Sequence, residues 1–568
     1  MSQSIFHPFS SSQHCSSSHS QHCSSSHSQV RSTSRSNSFA SRPSLIVLAL
    51  LLASFASSFV GCTKPKRDAS EMRLILEHDV PTLDPAFATG TNSGKLVALL
   101  FSNLVIYDEK AKLVPELASK WDLSSDGRTY RFTLRKDALF SSGRPVTSAD
   151  VSYSIHRVLS KELNSPRRWV FDRLVGAKEF TKGEAKSVAG IKTPAKDKVE
   201  LTLEKPFAPF LGFLAMPPAA IVDKENVEKE GKNFGRNPQG SGPYVLEKWV
   251  MENEVVLRKN PQSYRQPKLE KITFKVMNEP FTYSTEFKVG NLDMIPLPFS
   301  EVKFFTEHPV WKEHMLSRPG LNTYFIGMNC EKGPCQDLKI RQAISHAIDR
   351  ALIVNTTRKD QAILAHGRIP PGLPGYSAEY KGMVYSPEKA KKLLKEANFK
   401  KGTVLKLLQD KRNENLEVTQ LIVSSLAQVG MTVELVPMEW GVYTSRINEG
   451  KFDLYYRSWL ADYMDAENFL FPLFHSSQSG ASNRPRYKVK AVDEMIERAQ
   501  SMTDLEKRIA LYRKIEERVV SDSAYAFLFH KLERVVIQPW LMDFRQYPVF
   551  NSYKYTDVYL DEKALHKP

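Results

Sequence analysis

Residues 455–469, YYRSWLADYMDAENF, are the most informative segment of the sequence, because the pattern of side chains changes within them. The segment begins as an aromatic run typical of a β-strand and then places two carboxylates, Asp462 and Asp465, three residues apart. A carboxylate among aromatic side chains stays charged only where a cation or several hydrogen-bond donors meet it. Two interpretations follow: Asp462 binds an incoming ammonium group in a pocket, or it caps a turn or helix start within an ordinary core.

The length and charge of the chain limit its class. With 568 residues it exceeds a single hydrophobic core, which predicts two or three lobes. Charged residues make up 25% of the chain, as in soluble globular proteins. The net charge of +16 could attract nucleic acid, an anionic cell envelope or acidic ligands. No basic helix, Cys/His finger or stacked aromatic motif accompanies it, so we do not expect a nucleic-acid partner.

Residues 1–61 have the features of a leader. Residues 1–44 contain no acid and are dominated by Ser, a composition that cannot form a core, although their His-Cys pairs leave metal binding as an alternative. An apolar run at 45–53 follows three Arg residues and leads to Gly61 and Cys62, the order found in export signals. Gly61-Cys62 resembles the lipobox of bacterial lipoproteins. This resemblance implies acylation of Cys62 and attachment of the mature protein to an inner or outer bacterial membrane.

Two further cysteines, Cys330 and Cys335, follow the leader and flank a Gly-Pro turn. In an oxidising compartment they could close a small disulfide loop, and the alternative is a pair of reduced thiols. Two cysteines without a nearby His make a zinc site an unsuitable interpretation.

Strand and helix patterns alternate along the remaining chain, which predicts a mixed α/β fold. Residues 128–135 alternate apolar and polar side chains, the period of a half-buried strand. Residues 416–429 have a helical pattern that stops at Gly430 and is followed by an alternating strand at 431–435. Other helix starts are predicted at Thr147 with Asp150, at Asp337, at Ser386 before Pro387, and at Thr503 with Glu506.

Motifs of exported hydrolases and nucleotide-binding enzymes are missing from the sequence. There is no His-Glu-x-x-His helix, Gly-x-Ser-x-Gly elbow or Walker loop. The pair Asp462 and Asp465 leaves glycosidic chemistry as an alternative, because sequence does not fix the separation of two carboxylates. We therefore expect neither an enzyme nor a cofactor.

Three blocks of sequence are specific in residue type and order: LVPELASKW at 113–121, SDGRTYRF at 125–132 and GRPVTSADV at 143–151. Further blocks follow in order: NPQGSGPY at 237–244, LRKNP at 257–261, GNLDM at 290–294, residues 340–350, and the segment quoted first. In this order, from about residue 72 to about residue 560, the chain resembles the family 5 extracytoplasmic solute-binding proteins, close to the oligopeptide- and dipeptide-binding proteins of ABC importers.

The resemblance implies a two-lobed clamshell of mixed sheets with an additional small domain, in which ligand is enclosed as the lobes close about a hinge of two strands. Lobe I is expected from residues 63–100, 221–318 and 531–568. The small domain is expected from residues 101–220, and lobe II from residues 319–530.

The resemblance also implies the ligand contacts. Asp462 falls on the position whose carboxylate pairs with the α-ammonium of a peptide. Trp440 and Trp459 fall on positions that wall side-chain pockets, and Tyr463 lies beside the anchor as a further contact. The main chain of a ligand would pair with backbone at the following residues: Gly90, Thr91, Ser458 and Leu460.

Arg167 and its neighbour Arg168 stand where an aromatic residue of the family often contacts the ligand. Either they receive a ligand carboxylate, which would favour short or acidic peptides such as cell-wall fragments, or they form a solvated surface pair.

The resemblance thus predicts a monomeric, lipid-anchored peptide-binding protein of the periplasm or cell envelope, with an ABC permease and ATPase as partners and no metal. Within transport, the alternatives are a nickel complex, haem or an oligosaccharide as the ligand. Outside transport, the alternative is a lipoprotein that uses the same fold as an adhesin, chaperone or sensor.

Overall fold

The structure is a computed structural model that describes residues 67–411 and 413–566, except the side chains of residues 413 and 414. Residues from Arg67 onward form one compact unit. The leader and Cys62 lie outside the described residues, so acylation of Cys62 stays a prediction. Within the described ranges, none of the helices combines the length and the apolar composition needed to cross a bilayer.

The strands follow one another along the chain as β1 (Glu71–Leu76), β2 (Val105–Tyr107), β3 (Leu113–Pro115), β4 (Ala118–Leu123), β5 (Thr129–Leu134), β6 (Ile191–Ala195), β7 (Lys198–Thr202), β8 (Tyr244–Val250), β9 (Glu254–Lys259), β10 (Lys271–Val276), β11 (Met294–Pro296), β12 (Met315–Pro319), β13 (Asn322–Met328), β14 (Ala362–Leu364), β15 (Val404–Asp410), β16 (Thr432–Met438), β17 (Leu454–Leu460), β18 (Tyr525–Ile537), β19 (Leu541–Met542) and β20 (Tyr559–Leu560).

The α-helices are α1 (Thr91–Leu100), α2 (Ser148–Leu159), α3 (Ala177–Lys182), α4 (Phe210–Phe213), α5 (Lys224–Glu230), α6 (Pro280–Lys288), α7 (Val302–Glu307), α8 (Leu338–Ala347), α9 (Arg350–Thr357), α10 (Pro387–Glu396), α11 (Asn413–Ala427), α12 (Trp440–Glu449), α13 (Glu467–Phe474), α14 (Lys490–Ser501), α15 (Leu505–Ser521) and α16 (Glu562–Leu565).

A four-stranded sheet has the strand order β1-β10-β9-β8. β1 runs parallel to β10, and the remaining pairs are antiparallel. The alternate residues Met72, Leu74 and Leu76 of β1 are buried against the apolar side of α1, including Leu96 and Leu99. This shared core fixes the position of α1 and therefore of its first residue, Thr91, and its N-cap, Gly90.

The largest sheet has the order β11-β18-β13-β17-β15-β16, with β12 and β14 also paired to β18. β17 is central, since it pairs antiparallel with β13 and parallel with β15. Its neighbours β13 and β15 bury Ile326, Met328 and Leu407 in a core shared with the helices α8, α10 and α11. The strand that precedes Asp462 is thus held rigidly by its neighbours.

Two antiparallel segments connect the part of this sheet around β11 with the part around β17. β18 is long enough to pair with β13 at Tyr324↔Phe529 and with β12 at Pro319↔Leu532. Between these pairs lie residues 320–323 on one segment and residues 530 and 531 on the other. The lobe boundary expected at 530/531 lies in this crossing and the one expected at 318/319 lies just before it, at the end of β12, and both stay a prediction.

A third sheet, with the antiparallel order β4-β5-β7-β6, lies within residues 101–220. Its core is continuous with buried aromatic side chains of the 443–527 region. The rings of Phe213 and Tyr463 lie 4.7 Å apart, and the hydroxyl of Tyr107 accepts a hydrogen bond from the backbone N–H of Met464 at 3.3 Å. The region expected to form a small domain therefore supports the turn that follows β17.

Most predicted helix starts are confirmed. The carboxylate of Asp150 accepts the backbone N–H of Thr147 at 2.8 Å, and Asp337 caps α8 by accepting the N–H of Lys339 at 2.7 Å. The prediction that Thr503 and Glu506 cap a helix is wrong. Asp504 caps α15 instead, because its carboxylate accepts the N–H of Lys507 at 3.1 Å.

Cys330 and Cys335 are free thiols in the structure, so the disulfide that the sequence allowed is not formed. The physical reason is packing: Cys335 belongs to the core under β13, whereas Cys330 packs against a different cluster. Burial raises the pKa of Cys330 to about 11 and raises that of Cys335 as well. Both thiols are therefore protonated at neutral pH, which makes them poor nucleophiles.

Candidate functional site

A cavity of about 390 Å³ lies where the second half of β17 faces the start of α1. Six of the residues expected to contact ligand lie in its wall: Gly90, Thr91, Trp440, Ser458, Leu460 and Asp462. Although up to 372 positions separate them along the chain, the fold brings them together. The wall also contains residues that sequence reasoning missed: Thr89, Tyr324, Asp410, Asn415, Tyr456, Arg457 and Phe550.

One edge of β17 is open where it borders the cavity. The strand pairs with β13 along its whole length, from Leu454 to Leu460. On the other side it pairs with β15 only at Leu454 and Tyr455, so residues 456–460 have no strand partner on that edge among the described strands. Such an edge presents backbone N–H and C=O groups, and an extended chain can add to it as a further strand.

The N-terminus of α1 lies in the same cavity wall. Gly90 is the N-cap in an extended conformation, with no side-chain hydrogen bond to the first turn. The first backbone N–H groups of a helix lack partners within the helix and carry partial positive charge. No atom lies within 4 Å of the position that a Cβ at Gly90 would occupy, so the backbone there is open to an approaching ligand.

Asp462 is the half-buried carboxylate at the end of this open edge. Burial raises its pKa, while the Arg167 guanidinium and a hydrogen bond from Asn468 oppose that rise. The alternative of a helix cap is wrong for Asp462, because α13 begins five residues later with Ala466 as its N-cap. The carboxylate is thus desolvated, and within the described residues it has no salt-bridge partner as near as 4 Å.

Asp465, the second carboxylate of the quoted segment, is buried and structural. It accepts hydrogen bonds from Tyr512 at 2.6 Å and from the guanidinium of Arg508 at 3.1 Å. Its other role is in the turn, where it accepts the backbone N–H of Glu467 at 2.9 Å. The two carboxylates therefore have separate environments, and Asp465 does not line the cavity.

Tyr463 was expected to contact ligand, and the structure places it elsewhere. Its side chain is 2% exposed and packs against Phe213. Its hydroxyl donates to the carboxylate of Glu467. This correction has a simple cause: after β17 the chain turns, so Asp462 faces the cavity while the next residue enters the core shared with residues 101–220.

The two tryptophans have different roles in the structure. Trp440 is 52% exposed at the start of α12, and its ring forms part of the cavity wall. Trp459 is half-buried, lies outside the cavity wall, and packs against the core. Its indole Nε1 donates to Oδ1 of Asn468 at 3.2 Å, and the same oxygen accepts the backbone N–H of Asp462 at 3.2 Å.

Two nitrogens of the Arg167 guanidinium donate hydrogen bonds to backbone carbonyls. Its Nε donates to the carbonyl of Ala88 at 3.3 Å, and its Nη2 donates to the carbonyl of Thr89 at 3.1 Å. It thereby holds the segment that precedes Gly90, and its charge acts on Asp462. Arg167 thus positions this segment, and its reception of a ligand carboxylate stays a prediction.

A second cavity of about 410 Å³ adjoins the first and shares Thr91, Leu460 and Phe550 with it. It follows the two crossing segments, where Arg318 and Glu533 form an ion pair. Together the two cavities form a groove of the size that proteins use for ligands larger than one amino acid. None of the described side chains forms a group of three or more His, Cys, Asp or Glu that could hold a metal ion.

Comparison with known proteins identifies the family. Residues 112–481 match the model described as bacterial extracellular solute-binding proteins, family 5. The chain is 27% identical over 506 residues to the dipeptide-binding protein of Escherichia coli, covering 85% of this chain and 91% of that protein. It is 28% identical over 530 residues to the periplasmic oligopeptide-binding protein OppA of the same organism, covering 89% of this chain and 96% of that protein.

Solved structures agree with this assignment. The Escherichia coli murein tripeptide-binding protein MppA superposes with a TM-score of 0.75 at 27% identity, over 86% of this chain and 98% of that one. The unliganded open form of MppA gives a TM-score of 0.72 over 87% and 98% of the two chains. The predicted α/β class, a two-lobed clamshell with mixed sheets, is thereby confirmed. Because the matched residues span more than half of its length, the chain belongs to family 5 of the bacterial extracellular solute-binding proteins.

Proposed function

We propose that this protein is the lipid-anchored substrate-binding component of an ABC importer and that it captures oligopeptides between its two lobes. The observation that carries the proposal is the open edge of β17, which ends at the desolvated carboxylate of Asp462 inside a cavity. An extended chain with a free α-ammonium group complements both features, because it supplies the missing strand and the missing cation.

Ligand binding would use backbone on both sides of the cavity. Residues 456–460 offer the open strand edge, and Gly90 and Thr91 offer the first N–H groups of α1. Contacts to the main chain do not depend on ligand side chains, so they support binding of many peptide sequences. Asp462 would fix the register by pairing with the α-ammonium, and Trp440 would wall a side-chain pocket.

Closure would use the crossing formed by β12, β13 and β18. This crossing joins the lobes through two segments, the arrangement that permits hinge motion between packed bodies. The cavity wall contains residues from either side, such as Thr91 and Ser458, so a ligand bound to both favours the closed state. A permease could then distinguish the closed, loaded protein from the open one.

The names of the relatives support a peptide as ligand. They include proteins for dipeptides, oligopeptides, glutathione and murein peptides. One structural relative is described as associated with an ABC transporter, in complex with the peptide STSA. These descriptions support a permease and an ATPase as partners of this chain. A monomer as the binding unit is part of the proposal.

Lipid attachment at Cys62 would place the protein in the cell envelope. The body begins close by: Arg67 forms an ion pair with Asp293 and donates to the carbonyl of Gly290 at 2.7 Å. Four residues separate Cys62 from Arg67, so an acylated protein would lie near the membrane surface. Mass spectrometry of the protein purified from its native host tests this point, because acylation adds the mass of the acyl chains to the peptide that begins at Cys62.

A thermal-shift titration tests the peptide proposal. The body that begins after Cys62 is mixed with pooled peptides of three to five residues, and with the same pool N-acetylated. A ligand that binds only the folded state raises Tm as its concentration increases. We expect free-amine peptides to raise Tm and acetylated peptides to have little effect. Absence of a shift with both pools would contradict the proposal.

A further inference from the structure

Helix α6 carries apolar side chains on its outer surface. Phe281 is 71% exposed, more than any other large apolar side chain within the described residues, and Val289, directly after the helix, is 57% exposed. Phe281, Thr285 and Val289 are spaced by four residues, so they follow one face of α6. Single exposed apolar residues are ordinary on a protein surface, whereas neighbouring ones indicate a contact.

The opposite face of α6 is fixed in the core. Phe287 is fully buried, and its ring centre lies 5.8 Å from that of Phe305 and 5.6 Å from that of Trp311. Tyr283 is buried in the same cluster. The helix therefore cannot turn Phe281 and Val289 inward without losing this packing.

Polar groups beside the exposed face have partners within the protein. The hydroxyl of Thr285 donates to the carbonyl of Phe281 at 2.8 Å. Glu286 accepts a hydrogen bond from Nδ2 of Asn291 at 2.8 Å. Lys288 forms an ion pair with Glu301. This pairing lowers the cost of bringing the face out of water.

The apolar surface continues from α6 to α7. Nζ of Lys288 lies 4.2 Å from the ring centre of Phe304, a residue of α7 that is 42% exposed. A lysine in this position covers apolar surface with its stem while its ammonium group stays near water or headgroups.

The described chain begins at the end of this helix. Arg67 donates to the carbonyl of Gly290 at 2.7 Å and forms an ion pair with Asp293. Gly290 directly follows Val289, so the exposed face of α6 adjoins the point at which the chain arrives from Cys62.

Chain length limits how far this point can lie from Cys62. The five steps from Cys62 to Arg67 span at most about 18 Å when fully extended. The nine residues of α6 extend about 14 Å. Both ends of α6 are therefore close to any membrane that holds Cys62.

We propose that the exposed face of α6, formed by Phe281, Thr285 and Val289, lies in the phospholipid headgroup layer of the membrane that holds the acylated Cys62. The inference rests on the proposed function, because it takes acylation of Cys62 as the anchor. Aromatic and aliphatic side chains at the boundary between headgroups and acyl chains leave water, which favours this contact.

The contact sets the orientation of the protein and not its attachment. Two or three acyl chains already hold a protein stably on a bilayer. The face on α6 adds a second point of contact, which restricts rotation about the tether of residues 63–66. Lys64 and Lys66 of this tether add cations that anionic headgroups attract.

Nitroxide labels on the acylated full-length protein test the inference. The protein is reconstituted in vesicles of phosphatidylethanolamine and phosphatidylglycerol, with one label at Phe281→Cys, Val289→Cys or Val384→Cys. Val384 is the matched control, because it is 58% exposed and its carbonyl binds His346 of α8, in a different core. Wild-type protein taken through the same labelling gives the background from native thiols.

Collision rates with oxygen, which concentrates in the bilayer, and with a water-soluble nickel complex give the position of each label. We expect the ratio of oxygen to nickel collisions to be several-fold higher at residues 281 and 289 than at residue 384. The substituted side chains are exposed, so each variant should melt within error of wild type. Peptide binding should also be unchanged, because α6 lies outside both cavity walls.

A further variant separates apolar contact from mere proximity to the tether. A label at Thr285→Cys should report the headgroup layer when Phe281 and Val289 are intact. It should report water when the same protein also carries Phe281→Ser and Val289→Ser. A label that stays in the headgroup layer in both proteins would show that the tether alone positions α6, which overturns the inference.

Other outcomes would overturn it as well. Labels at residues 281 and 289 that are as open to the nickel complex as the label at residue 384 would exclude the membrane contact. Labels already shielded from both reagents in the unacylated body, without vesicles, would show that a second copy of the chain covers the face. Each result leaves peptide capture standing, whereas an unmodified Cys62 in the mass spectrum overturns the anchor and this inference together.

Discussion

Oδ1 of Asn468 accepts the indole N–H of Trp459 at 3.2 Å and so joins the end of β17 to α13. The same oxygen accepts the backbone N–H of Asp462 at 3.2 Å. Asn468 is 2% exposed, so water cannot replace these two bonds. One buried amide therefore sets both the orientation of Trp459 and the position of the proposed anchor carboxylate.

Asn468→Ala should lower both stability and affinity. The substitution removes the acceptor of two partly buried N–H donors, and we expect a loss of about 1–3 kcal/mol in total in the free energy of unfolding. Urea unfolding measures this loss, and titration with a tripeptide measures the accompanying loss of affinity. Asn291→Ala is the control, because Asn291 is exposed and should leave both quantities within error of wild type. Unchanged affinity in Asn468→Ala would show that this amide does not position the anchor.

Asp462→Asn should abolish peptide binding while preserving the fold. Removal of one partner of a partly buried charge pair costs about 2–5 kcal/mol of binding free energy. The unliganded variant should melt at or above the wild-type temperature, because it no longer desolvates a carboxylate. Thermal melting with and without a free-amine peptide gives both results.

Asp465→Asn is the matched comparison, three residues along the chain. It removes the charge opposite Arg508, with which Asp465 forms a buried ion pair at 3.1 Å. Loss of one partner of a buried pair costs about 3–5 kcal/mol in the free energy of unfolding. Wild-type stability of Asp465→Asn, or tight peptide binding by Asp462→Asn, would contradict the division of roles between these two carboxylates.

Peptide affinity should decrease as the pH is lowered from neutral. Burial raises the pKa of Asp462 above its ordinary value of 3.8, so the carboxylate takes up a proton at a higher pH than an exposed Asp. A neutral carboxyl group does not attract an ammonium, and the affinity is lost as pH falls through the raised pKa. Titration of one free-amine tripeptide with uncharged side chains across a pH series measures the effect, and melting of the unliganded protein at each pH checks that the fold is preserved.

The raised pKa of Asp462 affects the stability of the unliganded protein in the opposite direction from the peptide affinity. Between 3.8 and the raised pKa, the folded state binds more protons at Asp462 than the unfolded state does. The contribution of this residue to stability therefore decreases as pH rises through that window. The difference in unfolding free energy between wild type and Asp462→Asn should change in this direction, and an opposite slope would contradict the shift.

Sequence predicted those features that depend on local chemistry. Asp337 at the start of α8 and the pair Thr147 and Asp150 at α2 are recognised from residue type and spacing alone, because a cap requires only the neighbouring turn. The meeting of Gly90 with Asp462 has no local signal. It was predicted only through resemblance to a family in which the two segments are known to converge.

The errors at the site have a common cause, which is that partners come from distant segments. Tyr463 was assigned to the ligand because it adjoins Asp462, yet its ring packs against Phe213 of α4. Sequence did not show that Arg167 donates to two backbone carbonyls of the segment before Gly90. Arg457 is visible in the first quoted segment as a cation within an aromatic strand. Its packing over the ring of Trp440 and its hydrogen bond with Tyr443 are tertiary properties that no spacing shows.

N-methylation of a peptide ligand should weaken binding if the open edge of β17 receives the main chain. Each methyl group removes one N–H donor and prevents one ladder hydrogen bond, at a cost of about 1–3 kcal/mol when the acceptor is left buried. A series of tetrapeptides, methylated at one amide at a time, measures which positions pair. Equal affinity across the series would show that the ligand does not extend the sheet.

Gly320→Ala should destabilise the crossing between the lobes. A Cβ at Gly320 would lie 2.4 Å from the carbonyl oxygen of Lys531 and 2.3 Å from Nδ2 of Asn322. These groups already bind each other, since Nδ2 of Asn322 donates to that carbonyl at 3.0 Å. The added methyl group must displace one segment of the crossing, so we expect a loss of about 1–3 kcal/mol in the free energy of unfolding, measured by urea.

Gly441→Ala is the control for the Gly320 substitution. No atom lies within 4 Å of the Cβ position at Gly441, and this residue is in the first turn of α12. Ala is favoured over Gly within a helix by about 1 kcal/mol, so this variant should be as stable as wild type or more so.

Because Asn322 also lines the second cavity, Gly320→Ala should weaken peptide binding as well. Wild-type stability and affinity in Gly320→Ala would show that the crossing accommodates the methyl group without moving its two segments.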